Sequence, residues 1–161
     1  EIFKMATIKK KPSGYGQFGG FSPYGNVTSL AFSLVTNASG AVIDSDTTVA
    51  VASGDVIDLG ELPEGMRLDD AQILIKTGMT ATVTGSLGFK YVDGDSAEVP
   101  QDAAYFINAG DLATAGRLRA NTGKLVTLPK AARLILTTGG AANAKASDIK
   151  VIVSGELTGP R

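Results

Sequence analysis

Asp70-Ala71-Gln72-Ile73-Leu74-Ile75-Lys76 places Ala71, Ile73 and Ile75 on one face and Gln72, Leu74 and Lys76 on the other. A period of two sends successive side chains to opposite sides of a strand, whereas a helix repeats its apolar positions at three and four residues. The same alternation extends outward in both directions. Leu30, Phe32 and Leu34 share a face within residues 29–36, and Val83, Leu87, Phe89 and Tyr91 line one side of a run whose other side carries Thr82, Thr84, Ser86 and Lys90. Ala132, Leu134 and Leu136 oppose Arg133, Ile135 and Thr137, and Ile149, Val151 and Val153 oppose Lys150, Ile152 and Ser154. Shorter runs at 47–52, 56–59 and 124–128 bring the expectation to about eight strands, a number typical of a two-sheet sandwich or jelly roll. Asn37-Ala38-Ser39-Gly40, Pro63-Glu64-Gly65, Asp93-Gly94 and Gly139-Gly140 separate the runs with turn residues.

One stretch departs from this period. Between Val99 and Gly110, Pro100 suits a first helical position, Ala103, Ala104, Phe106 and Ile107 form a compact apolar cluster, and Gly110 suits a left-handed helix end. The spacing predicts one short helix inserted between strands, with Tyr105 and Phe106 facing the core.

Residues 1–27 belong to another physical class. Lys9-Lys10-Lys11 is followed by Tyr15, Phe18, Phe21 and Tyr24 spaced by glycines, a composition that cannot build a core of its own. With Phe3, these rings are 5 of the 10 Phe and Tyr residues in the chain, so half the aromatic surface precedes the alternating region. The reading divides the chain into an extended Gly/aromatic/basic arm, 1–27, and a β-sandwich body, 28–161. Charge divides similarly: residues 1–43 carry a net +3 and residues 44–161 a net −4, giving −1 overall. Met5-Ala6-Thr7-Ile8 reads as a natural translation start, with residues 1–4 left from processing or an upstream start.

Composition narrows the chemistry. The 161 residues contain no Cys, Trp or His, which removes disulfides, thiol nucleophiles and zinc sites of the usual nitrogen and sulfur type. Carboxylate pairs remain, but Glu61 with Glu64 and Asp69 with Asp70 flank a Pro-Gly turn where exposed acids are ordinary, and no serine stands in a nucleophile-elbow setting. An enzyme is not expected, nor is a cofactor. Gly14-Tyr15-Gly16-Gln17-Phe18-Gly19 matches the dinucleotide spacing without the strand before it, the helix after it or the acid beyond. The acidic clusters Asp44-Ser45-Asp46 and Asp93 to Glu98 lack the glycine and glutamate positions of a calcium loop. No basic face suggests direct nucleic-acid binding, and no apolar run approaches the ~18 residues of a membrane span. A soluble protein made in the cytoplasm is the expectation.

The run Gly54-Asp55-Val56-Ile57-Asp58-Leu59-Gly60-Glu61-Leu62-Pro63-Glu64-Gly65-Met66-Arg67-Leu68-Asp69-Asp70-Ala71 resembles a pattern in small virion proteins of tailed bacteriophages, as does Gly88-Phe89-Lys90-Tyr91-Val92-Asp93-Gly94. The likeness spans roughly residues 54–157. It implies a capsid decoration, or cement, protein with a jelly-roll-like β fold, whose partner is the major capsid protein. In this reading the body sits on the outer capsid surface as a dimer or trimer. The arm, which has no counterpart in the shortest proteins of that pattern, binds the shell through Lys9, Lys10, Lys11, Tyr15, Phe18, Phe21 and Tyr24. A carbohydrate-binding host-attachment module and a tail-tube or connector component are the alternatives. The body's own tyrosines, Tyr91 and Tyr105, fall on expected core faces.

Overall fold

The structure, a computed structural model, describes residues 5–11 and 25–158. Nine strands and no helix occur among them: β1 (Thr7–Lys9), β2 (Val27–Thr36), β3 (Val56–Leu62), β4 (Met66–Thr77), β5 (Thr84–Tyr91), β6 (Asp102–Asp111), β7 (Gly116–Arg119), β8 (Ala132–Gly139) and β9 (Ser147–Leu157). They form a five-stranded sheet in the order β1-β3-β8-β5-β6 and a four-stranded sheet in the order β2-β9-β4-β7. From β2 onward the pairing is nested. β2 pairs with β9, β3 with β8, β4 with β7 and β5 with β6, all antiparallel. One long antiparallel hairpin has thus been folded over itself into two facing sheets, which is the winding of a jelly roll.

The alternating rows supply the contact between the sheets. Leu30 and Leu34 of β2, Ile149, Val151 and Val153 of β9, and Ala71, Ile73 and Ile75 of β4 are buried on the inner face of one sheet. Ile57, Leu134, Leu136, Leu87 and Phe89 answer them from the other. The sheets meet closely where Gly60 lies under Phe32, since a Cβ on Gly60 would stand 2.5 Å from Cε1 of that ring. At one end Phe89, Tyr91, Tyr105 and Phe106 stack edge to face, with centroids 4.7 to 5.5 Å apart. At the other end the buried Asn143 amide donates to Thr36 Oγ1 and Lys145 O and accepts from Thr80 N, so three loops share one satisfied polar group.

The turns expected from the sequence are turns. Gly40, Gly65, Gly94 and Gly140 all have positive φ, between 66° and 86°. At the Leu62-Pro63-Glu64-Gly65 reversal, Gly65 (φ 81°) lets the chain pass from β3 in one sheet to β4 in the other, and Met66 N donates to Pro63 O at 3.3 Å.

The inserted helix expected between Val99 and Gly110 is absent; the segment is strand β6. Its register against β5 slips twice, at Gly85/Leu87 and at Leu87/Phe89, and each slip leaves extra residues on the β6 side. Bulges of this kind put the consecutive residues Tyr105, Phe106 and Ile107 all into the core. They break the period of two and counterfeit a helical apolar cluster. Gly88 permits the bulged strand to close in, because a Cβ there would lie 2.1 Å from Asp102 O.

Two short runs read as strands are not strands. Residues 47–52 make a single bridge, Ala41 to Ala50, and residues 124–128 make one from Thr127 to Arg67. In the second case the Tyr105 hydroxyl accepts from Val126 N at 3.0 Å, taking a donor that an extended ladder would use. Two edge strands, β1 and β7, complete the set.

Gly88→Ala is expected to lower stability by about 1–3 kcal/mol through overpacking against the β6 backbone. Gly123, whose Cβ would meet nothing within 4 Å, is expected to accept alanine without loss. Paired thermal or urea melts of the two variants check the bulge geometry.

Candidate interaction surface

The basic run predicted as part of an arm begins inside the sandwich. Thr7, Ile8 and Lys9 pair in parallel with Val56, Ile57 and Asp58, making β1 the edge of the five-stranded sheet. The period of two explains the docking. Ile8 points inward beside Ile57 and is buried, while Thr7 and Lys9 point outward and are exposed. On its far side β1 is closed by the loop 43–46. Lys9 N donates to Asp46 Oδ1 at 3.1 Å, Asp46 N returns a bond to Lys9 O at 3.1 Å, and Lys11 N donates to Asp44 O at 2.9 Å. Asp44 adopts φ 56°, a left-handed conformation that aspartate tolerates and that turns the loop at this point. At the start of the strand the buried Asp55 carboxylate accepts from Ala6 N at 3.0 Å and from Ala52 N at 2.9 Å.

The three lysines therefore have distinct settings. Lys10 is half-buried and its Nζ donates to Ile43 O at 2.9 Å. Burial holds its ammonium below the ordinary lysine range; nearby Asp44 opposes that shift and Lys150 adds to it. Lys9 and Lys11 keep exposed side chains. Lys9 sits in register beside Asp58, a buried carboxylate that Arg133 Nε engages at 3.0 and 3.1 Å. Sequence reading placed the acidic partners of this run on another molecule. The Asp44-Ser45-Asp46 segment of the same chain lies directly alongside it.

Tyr15, Phe18, Phe21 and Tyr24 lie outside the described residues. The two ends of that stretch are fixed, however: Lys11 is bonded to the 43–46 loop, and Gly25 N donates to Leu157 O at 3.0 Å at the end of β9. Residues 12–24 thus connect two anchored points of the body.

The remaining candidates are structural in their surroundings. Tyr91 and Tyr105 are buried; the Tyr91 hydroxyl donates to Val99 O, and Lys130 stands 5.0 Å above its ring. A groove of about 320 Å³ opens beside Tyr105, Val99 and Pro100, crossed at its rim by the Lys124–Asp102 ion pair. The hydrogen bond from Lys124 holds the Asp102 carboxyl below the usual carboxylate range against the effect of burial. In the Asp93 to Glu98 turn, Asp95 Oδ1 accepts from Ser96 N and Gln101 N, the role of a turn-forming carboxylate. Among the described residues no group of three or more acidic side chains is placed to hold a metal ion. The residues that sequence reading missed are Asp55 and Asp46, whose carboxylates bracket β1. Asp46 belonged to a cluster already noticed, but nothing local announced its partner 37 residues away.

No family model matches the sequence, and no curated protein matches it. Solved structures do match. A chain from the capsid of Ralstonia phage GP4 superposes with a TM-score of 0.66 at 17% identity, covering 94% of this chain and 97% of that one. A chain from the cyanophage Pam1 capsid asymmetric unit gives 0.57 at 19% identity, with 91% and 93% covered. The fold is that of chains in phage capsids. A third match, in the acid-stable capsid of Helicobacter pylori bacteriophage KHP30, gives 0.50 at 14% identity over 81% and 89%. The β-sandwich that the resemblance implied is the fold observed, and at these identities it is the fold that is shared.

Asp55→Ala strands two backbone donors, Ala6 N and Ala52 N, beside a buried position, and a loss of about 1–3 kcal/mol is expected. Asp46→Ala exposes a single donor that water can satisfy, so its effect is expected to stay within about 0.5 kcal/mol. Denaturant midpoints of the two variants make the comparison.

Proposed function

We propose that this chain is a structural, non-enzymatic protein of a phage virion. It binds the outer capsid surface and cements neighbouring major capsid subunits through its β body and its N-terminal segment. The observation that carries this reading is the whole-length match. One jelly roll accounts for nearly the entire chain, and nearly the entire length of each of two phage-capsid chains. Decoration as the specific role draws its support from the sequence pattern of residues 54–157 and from the four rings between Lys11 and Gly25.

The physical argument concerns ordering. Burying one aromatic ring contributes about 1.5–3 kcal/mol, while fixing each backbone residue costs about 1–2 kcal/mol. A free arm of this composition binds weakly. A segment held at both ends has already lost part of its freedom, which lowers the cost of ordering it on a partner. Its reach is bounded: 14 peptide steps separate Lys11 from Gly25, so a tethered loop extends at most about 25 Å from the body. That suffices for Tyr15, Phe18, Phe21 and Tyr24 to enter a seam between adjacent shell subunits, with Lys9 and Lys11 facing acidic shell residues. A dimeric or trimeric body multiplies such contacts and raises the effective concentration of each.

The test is co-sedimentation with undecorated phage capsids. Truncation to residue 28 would also remove β1 and Ile8, so the informative variant replaces Tyr15, Phe18, Phe21 and Tyr24 together by alanine. Saturable binding by the unaltered chain is expected, with affinity lowered at least about tenfold, or about 1.4 kcal/mol, in the four-ring variant at unchanged melting temperature. Absence of binding by the unaltered chain would overturn the reading; full affinity in the variant would move the interface onto the body.

A further inference from the structure

We infer that β1 is an exchangeable strand: residues 5–11 of one copy occupy, in a second copy, the slot between β3 and the 43–46 loop. The slot is complete without any residue of β1. Its β3 side offers Val56 N to Ala6 O at 2.9 Å and Asp58 O to Lys10 N at 3.1 Å. Its loop side offers the backbone of Asp44 and Asp46, and the carboxylates of Asp46 and Asp55 close on Lys9 N and Ala6 N. A single apolar anchor, Ile8 against Ile57, completes the fit.

No turn enforces this placement. β1 and β3 form the one parallel pair among the described strands, and a parallel pair needs a long connection. Chain order sends β1 instead across to β2 in the opposite sheet. The 14 peptide steps from Lys11 to Gly25 span about 46–50 Å when extended. A domain of 161 residues has a radius of gyration of about 15 Å, so the connection is long enough to reach the same slot on an abutting copy. Every hydrogen bond and the Ile8 contact are identical in the two arrangements. The balance between them is therefore set by local concentration and by the connection alone, the usual condition for strand exchange between identical chains. A three-residue strand with one buried side chain also opens at low cost compared with the interior strands.

This inference stands apart from the capsid reading and is tested in solution with full-length protein. The chain contains no cysteine, and Thr7 and Val56 are Cα partners whose side chains share the outer face. Neighbouring strands lie about 4.8 Å apart, within the span a disulfide accepts. Thr7→Cys chains and Val56→Cys chains are mixed, unfolded, refolded together from dilute to near-millimolar concentration, oxidised and separated on a denaturing gel. Exchange predicts a mixed disulfide dimer in several-fold excess over either homodimer, growing with concentration and lost when Ile8→Asp is added to the Thr7→Cys chain. A mixed dimer no more abundant than random pairing of exposed thiols, at every concentration, would overturn the proposal.

Discussion

The sandwich depends on one constraint: two apolar sheet faces must be covered by each other, because the chain has no cysteine to cross-link them and no helix is present among the described residues to cover them. Burial of apolar surface is non-directional, so it decides which faces meet but not which strands are neighbours. Neighbours are decided by the nested hairpin, in which each body strand finds a partner nearly symmetric about the β5–β6 turn. The polar features answer to the same constraint. Where a ring of one sheet presses on the backbone of the other, glycine replaces a side chain, as at Gly60 beneath Phe32. Where loops cross the open end, the Asn143 amide satisfies groups that burial would otherwise leave without partners.

A consequence appears at the edge of the five-stranded sheet. β3 would present an open row of backbone groups, and such an edge invites pairing with another chain. Here β1 covers it, with the 43–46 loop covering β1 in turn. The basic run Lys9-Lys10-Lys11 is thereby laid beside acidic residues of its own molecule, and only the outward side chains of Lys9 and Lys11 remain available to a partner. The residues on either side of the four-ring segment are both bonded to the body, Lys11 to the 43–46 loop and Gly25 to the end of β9.

Six of the strands could be read from the chain because their environment is simple. β2, β4 and β9 each have one face in the core, so alternation in the sequence is alternation in burial. β3, β5 and β8 follow the same rule apart from local irregularities, such as Ile135 buried between Leu134 and Leu136. The segment that became β6 was misread for a definite reason: bulges place Tyr105, Phe106 and Ile107 inward in succession, and a run of apolar residues without a period of two has the appearance of a helix face. Runs 47–52 and 124–128 alternate convincingly, yet each makes only one isolated bridge, the second because the Tyr105 hydroxyl takes the Val126 donor that would extend its pairing with β4. β1 went unread since three residues carry too little pattern and its partner lies 49 positions away.

The sequence by itself determined the all-β class, the inward rows and the glycine turns, because these rest on side-chain period and on backbone angles that a few neighbouring residues fix. It also determined the contrast between a ring-rich basic segment and an acidic body. Only the tertiary structure decided that the basic run is an edge strand, that Asp46 and Asp55 grip it, and that the ring segment is held at both ends. Those outcomes depend on groups far apart along the chain competing for the same hydrogen-bond partners, and that competition is settled only when the sheets are in place.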